Sequence, residues 1–105
     1  MARKLIEIEM DKKRYLQAGM NTMISLEKEL GTPLSELGEK NITLEDMRTM
    51  FYCLLKKQDK ELTPDMVGDL MDITIEAQGM DYLSEKLSEV MKGAFGGKAA
   101  FPSDN

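Results

Sequence analysis

The segment at residues 43–57 constrains the fold more strongly than any other part of the chain. Its apolar residues recur at the spacing of one helix face, and Met50 and Cys53 widen a stripe formed by Leu44, Met47, Phe51, Leu54 and Leu55. Thr43 can cap the N-terminus of such a helix, and Asp46 stands where a capping box places its acid. We therefore predict a central, largely buried helix anchored by Phe51 and Leu54.

An alternating pattern near the N-terminus predicts a β-hairpin. Its apolar residues share one face and its acids the other, with Ile6, Ile8 and Met10 opposite Glu7 and Glu9. Residues 11–13 are the expected turn and residues 15–18 the returning strand. The competing interpretation is one helix from Asp11 to Leu30, which Gly19, Asn21 and Thr22 disfavour.

Start and stop signals predict the first helix and a short turn after it. A helical period begins at Asn21 and ends at Gly31, a natural C-terminal cap that Pro33 follows. Residues 34–37 allow at most a short turn of helix, which ends at Gly38.

Two further helices are predicted in the second half of the chain. Thr63 and Pro64 give a strong helix start. The helix that follows runs to Gly79 and carries the apolar residues Met66, Val67, Leu70, Met71, Ile73 and Ala77. Met80 and Asp81 are expected to turn the chain into a last amphipathic helix that begins at Tyr82.

These elements predict a mainly α protein, a small bundle of about four helices with a short N-terminal β-hairpin. Residues 1–95 are expected to form a single helical domain. Residues 96–105 combine glycines and a proline with no periodicity, which predicts a flexible C-terminal tail.

Composition narrows the classes of function. The net charge of −5 and the pI near 4.8 argue against nucleic-acid binding, which relies on basic patches. No signal-peptide pattern and no apolar run of about 20 residues is present, so we expect a cytoplasmic protein without a membrane span. The sequence has no histidine, and the apolar neighbours of Cys53 disfavour a reactive thiolate. We therefore expect a binding or assembly protein, not an enzyme, with no catalytic residue, metal or cofactor.

Ten methionines suggest where a binding surface could lie. Methionine adapts to irregular partners, although at helical spacing it also fills cores. The candidate protein-binding residues are Met66, Met71, Met80, Phe95 and Phe101. Asp65, Asp69 and Asp72 share one helix side, where they could bind a divalent cation weakly or attract a basic partner. A solvated face is the favoured interpretation, because they lack the spacing of a calcium loop.

The order of these segments resembles a known family. The strand pair leads into Met23-Ile24-Ser25-Leu26-Glu27-Lys28-Glu29-Leu30-Gly31-Thr32-Pro33-Leu34 and then into the helix from Leu44 to Leu55. Leu62-Thr63-Pro64-Asp65-Met66-Val67 opens another helix, and Gly79-Met80-Asp81-Tyr82-Leu83 opens the last. From Leu5 to Phe95, the chain resembles the tail assembly chaperones of long-tailed, non-contractile bacteriophages and their prophage relatives.

This resemblance implies a small helical protein that acts in the host bacterial cytoplasm and is absent from the mature virion. Its partners would be the tape-measure protein, which it keeps soluble, and the tail-tube protein, whose polymerisation it promotes. The present chain would be the short form of a frameshift pair, and the longer form would carry an extension attached near the C-terminus. Coating a long partner would favour self-association through repeated contacts between protomers, although nothing in the residues fixes such contacts. The alternative is a small helical adaptor or regulatory protein that recognises a partner helix.

Overall fold

Two strands and four helices make up the part of the chain that the structure describes. The computed structural model describes residues 5–33, 35–36 and 41–94. The elements are β1 (Ile6–Glu9), β2 (Lys13–Leu16), α1 (Met20–Leu30), α2 (Leu44–Leu55), α3 (Pro64–Gln78) and α4 (Met80–Ala94). The prediction of a mainly α fold with an N-terminal hairpin is confirmed.

The hairpin is antiparallel, with Ile6 opposite Leu16 and Glu9 opposite Lys13. The returning strand therefore begins at Lys13, two residues earlier than expected, and the turn occupies residues 10–12. The competing helix from Asp11 to Leu30 is wrong, because residues 13–16 pair with β1.

A side-chain interaction lies at the hairpin turn. The Arg14 guanidinium donates two hydrogen bonds to the Asp11 carboxylate, from Nε at 2.8 Å and from Nη2 at 3.1 Å. Paired hydrogen bonds of this kind add geometric specificity to the charge attraction. They link the turn directly to the second residue of β2.

Both predicted N-caps are present. The backbone N–H of Asp46 donates to Thr43 Oγ1, and the backbone N–H of Thr43 donates to Asp46 Oδ2, each at 3.1 Å. This reciprocal pair is the capping box expected for α2. At the start of α3, the N–H of Met66 donates to Thr63 Oγ1 at 3.2 Å, and Pro64 occupies the first turn.

The connection between α3 and α4 is shorter than predicted. Met80 and Asp81 belong to α4, so the expectation that they turn the chain is wrong. Gly79 alone separates the helices, with φ at 92° and ψ at 159°. Positive φ is sterically available to glycine at low cost, which allows one residue to redirect the chain.

The core lies around α2, which packs against α1, α3 and β2, while α4 packs against α3 and β1. Phe51 and Leu54 are both fully buried, as predicted. Leu44, the first residue of α2, was expected in the same stripe but is 67% exposed. The buried face of α3 consists of Val67, Leu70, Met71 and Thr74.

Three apolar residues of α3 lie outside that buried face. Met66, Ile73 and Ala77 are exposed, whereas Val67, Leu70 and Met71 are buried. Each residue of an α-helix advances about 100° around its axis, so Ile73 projects about 100° away from its buried neighbour Thr74. Helical spacing identified the apolar residues of α3, and the structure places them on two separate faces.

Several predictions fall outside the described residues. The tail at residues 96–105, together with Phe95 and Phe101, lies there. Of the predicted turn at residues 34–37, only Ser35 and Glu36 are described, and they form a short 3₁₀ turn. Within the described ranges, no helix has the length and apolar character needed to cross a membrane.

Candidate functional site

A groove of about 720 Å³ lies between the N-terminal half of α2 and the length of α3, and it reaches the first residue of α4. We call it the α2–α3 groove. Its apolar lining consists of Leu44, Met71, Ile75 and Met80, and Gly68 lies among them. Leu44 and Met80 are 67% and 37% exposed, so the groove presents apolar side chains to solvent.

The spacing along α3 explains how the groove is built. Gly68 and Ile75 are seven residues apart, which places them on one side of the helix two turns from each other. Met71 lies between them and also reaches the core, where it is 6% exposed. The groove is therefore continuous with the core on one side and faces solvent on the other.

Gly68 and Arg48 bring α2 and α3 close together beside the groove. A Cβ atom added at Gly68 would lie 3.4 Å from Cδ of Arg48. The aliphatic part of the Arg48 side chain thus lies against the position where α3 has no side chain. A larger residue at Gly68 would have to share this space with Arg48.

The rim of the groove is acidic. Its charged side chains are four carboxylates and one guanidinium, contributed by Glu45, Asp65, Asp69, Asp72 and Arg48. The guanidinium forms an ion pair with Asp65 at 3.7 Å, in which the Arg48 side chain is 38% exposed and that of Asp65 is 98% exposed. A pair with this exposure contributes little to stability. Among the described residues, no ion pair accompanies the carboxylates of Glu45, Asp69 and Asp72.

This arrangement is suited to binding an apolar surface that carries positive charge. The carboxylates attract cationic groups to the rim. Covering the apolar residues between them removes apolar surface from water, which favours binding. Within residues 5–33, 35–36 and 41–94, no group of three or more potential ligands is placed to hold a metal ion. Asp65, Asp69 and Asp72 lie along the rim without converging on one point.

The structure divides the candidate residues predicted from the sequence. Met71 and Met80 both line the α2–α3 groove, although Met71 is largely buried. Met66 is 45% exposed on another side of α3 and does not line it. Phe95 and Phe101 lie outside the described residues.

Sequence reasoning missed five residues of the groove: Leu44, which was assigned to the core, together with Glu45, Arg48, Gly68 and Ile75. Gly68 offered the clearest signal, because glycine disfavours a helix interior and so invites a packing or functional explanation. The three aspartates also pointed to this side of α3. Nothing in the local pattern indicated that α2 would complete the groove.

A second depression, of about 320 Å³, lies between α2 and α4. Its large apolar residues are Ile42, which is 39% exposed, and Met47, Met50, Leu87 and Met91, which are buried. The depression carries no charged side chain in its lining. It therefore exposes one apolar residue but lacks the charged rim that distinguishes the α2–α3 groove.

Comparison with known proteins adds no assignment to this geometry. No protein-family model matches the sequence, and the searches of curated proteins and of solved structures found no significant match.

Proposed function

We propose that this chain is a tail assembly chaperone of a long, non-contractile-tailed bacteriophage or of a related prophage. The proposal combines the order of sequence segments that resembles this family with one structural observation. That observation is the α2–α3 groove, in which Leu44 and Met80 are exposed although buried apolar residues already form a core. Such a surface is typical of a site that a partner covers.

The proposed partners are the tape-measure protein and the tail-tube protein. A chaperone that covers apolar stretches of the tape-measure chain lowers the concentration of aggregating surface and keeps that chain soluble. Methionine suits this role, because its flexible thioether side chain packs against surfaces of varied shape. On this proposal the protein acts without catalysis in the host cytoplasm and does not remain in the mature virion.

The second candidate function is that of a small helical adaptor or regulatory protein. The same groove favours it, because a recess between two helices is a common site for a partner helix. The two functions differ in what must be bound. An adaptor recognises one defined segment, whereas a chaperone must cover many segments of a long chain.

The gene neighbourhood provides an inexpensive discriminating observation. A chaperone gene is expected between a tail-tube gene upstream and a very long tape-measure gene downstream. A slippery heptamer in the codons for residues 96–102 would open the second frame of an extended form. If neither feature is present, the chaperone proposal fails and the adaptor is favoured.

Co-expression with the neighbouring tape-measure protein tests the function directly. We expect the tape-measure chain to be soluble with this protein and aggregated without it. Met80→Gln, inside the groove, is expected to reduce that solubility, while Met66→Gln leaves it unchanged. The two methionines have comparable exposure, 37% for Met80 and 45% for Met66. A difference between the two variants therefore reports the location of the methionine in the groove and not the loss of an exposed methionine. Solubility that does not depend on this protein would contradict the proposal.

A further inference from the structure

We propose that the α2–α3 groove binds one amphipathic helix whose apolar stripe is flanked by lysine or arginine side chains. The chemical class of this occupant follows from the groove itself. Its identity as a tape-measure segment rests on the proposed function. The two claims are therefore tested separately below.

The walls of the groove indicate a helical occupant. Both walls are α-helices, whose backbone N–H and C=O groups are largely paired within the helix. An extended peptide would find no strand edge here on which to form its own backbone hydrogen bonds. A helix brings those bonds with it and needs only side-chain contacts.

The length of the apolar floor limits how much of a helix it can take. From Asp65 to Ile75 the α3 backbone rises about 15 Å at 1.5 Å per residue. An occupant that follows this wall therefore contacts it over about three turns. Its anchors are expected at i, i+3 or i+4, and i+7, opposite Leu44, Ile75 and Met80.

The charges indicate that the flanks of the occupant are basic. Asp69 and Asp72 form no ion pair with any described side chain, and both are exposed at the rim. Arg48, the single cation of the lining, already pairs with Asp65. A helix with acidic flanks would bring like charges together, which disfavours binding.

Gly68 gives the occupant room to approach. Glycine destabilises a helix interior relative to alanine, so its presence at this position of α3 weakens the element that carries it. In return, the missing side chain leaves space beside Arg48 for the occupant. A leucine at position 68 would project from the same wall as Ile75 and narrow the groove.

Two synthetic peptides test the proposal. Each is a fluorescein-labelled 15-residue helix with leucines at i, i+3, i+4 and i+7, flanked by lysines in one and by glutamates in the other. We expect the lysine peptide to bind and the glutamate peptide to bind at least about tenfold more weakly in fluorescence anisotropy. Equal affinity for the two peptides would overturn the proposal.

Variants of the protein locate the binding. Gly68→Leu is expected to weaken binding of the lysine peptide at least about tenfold, while Ala77→Leu, an enlargement outside the groove lining, leaves it unchanged. Asp69→Asn with Asp72→Asn should weaken it about three- to tenfold. The control Glu61→Gln with Glu85→Gln removes the same charge elsewhere and is expected to have a smaller effect.

Folding and self-association are checked alongside. If Gly68→Leu does not fold, Gly68→Ala replaces it. Alanine is expected to raise thermal stability and still weaken peptide binding, which a purely structural role for Gly68 would not do. If the folded variant, Gly68→Leu or Gly68→Ala, binds the lysine peptide as tightly as the parent protein does, the proposal is overturned. A dimer in sedimentation velocity that this variant dissociates would also overturn it, because the occupant would then be a second copy of the chain.

The failures of the two proposals are distinguishable. One outcome is that the lysine peptide binds only when Gly68 is present, while this protein does not change the solubility of the tape-measure protein. That outcome supports the groove assignment and contradicts the chaperone function. Tape-measure solubility that Gly68→Leu does not change supports the function and overturns the groove as its site.

Discussion

The backbone N–H of Glu9 donates a 2.9 Å hydrogen bond to the phenolic oxygen of Tyr82, joining β1 to α4 across 73 residues of sequence. The Lys86 ammonium lies 5.4 Å from the centroid of the same tyrosine ring, one turn further along α4. The Tyr82 side chain thus connects the N-terminal hairpin to the last helix. Its hydroxyl accepts the hydrogen bond from β1, and its ring contacts the Lys86 ammonium within α4.

We expect Tyr82→Phe to lower the free energy of unfolding by about 0.5–1 kcal/mol, because the ring remains but the acceptor for the Glu9 N–H is lost. Urea unfolding followed by circular dichroism measures the change. Tyr15→Phe, at a residue 37% exposed on β2, is the matched control and should have a smaller effect. Equal effects of the two substitutions would show that the Glu9–Tyr82 hydrogen bond does not stabilise the fold.

One substitution at two positions of α2 tests where the core lies. Leu54 is fully buried and Leu44 is 67% exposed. Leu54→Ala is expected to cost about 2–5 kcal/mol through lost burial and a residual cavity. Leu44→Ala should change stability by no more than about 0.5 kcal/mol. Similar costs at the two sites in urea unfolding would contradict the placement of Leu44 outside the core.

Stability should depend on pH through Asp11. Hydrogen bonding from the Arg14 guanidinium, opposed in part by burial, lowers the pKa of the Asp11 carboxyl below its ordinary value. Its contribution is therefore complete above about pH 4, near the unfolded pKa, and is lost as the pH falls through the lowered folded pKa. Because the pair is partly exposed, we expect Asp11→Asn to cost less than about 1 kcal/mol at pH 7.

Unfolding free energies at pH 7 and at pH 2.5 for the parent protein and Asp11→Asn test this dependence. The difference between the two proteins should shrink at the lower pH, where the parent carboxylate is protonated more fully. A difference that stays constant between these pH values would contradict a stabilising charge at Asp11.

The Cys53 thiol should react slowly in the native protein. Its side chain is buried, and that burial raises the pKa of the thiol, so little thiolate forms at pH 8. Ellman's reagent is expected to modify it much faster in guanidinium chloride than in buffer. Rapid modification of the native protein would show that this part of α2 opens readily.

Local chemistry explains how much of the fold was predictable. The caps at Thr43 and Thr63 and the αL glycine at Gly31 involve residues within a few positions of each other, so their effects are readable without a partner element. The errors are local too. Gly79 redirects the chain in one residue, and β2 begins at Lys13, two residues before its expected start. Hydrophobic periodicity detects neither feature.

The candidate site was less predictable, because it depends on which helices become neighbours. The sequence identified Met71 and Met80 as candidate binding residues, but it also grouped Met66 with them. It placed the three aspartates of α3 on one helix side and favoured a solvated face for them. Arg48 belongs to another helix, and only packing brings its side chain beside Gly68.

The sequence alone determined the number and kind of elements, since periodicity, caps and glycines act over a few residues. The tertiary structure decided which apolar residues remain exposed. Leu44 and Leu54 share one helix and one residue type, yet only Leu54 is covered by neighbouring elements. Burial depends on contacts between distant segments, and those contacts make the α2–α3 groove a surface instead of core.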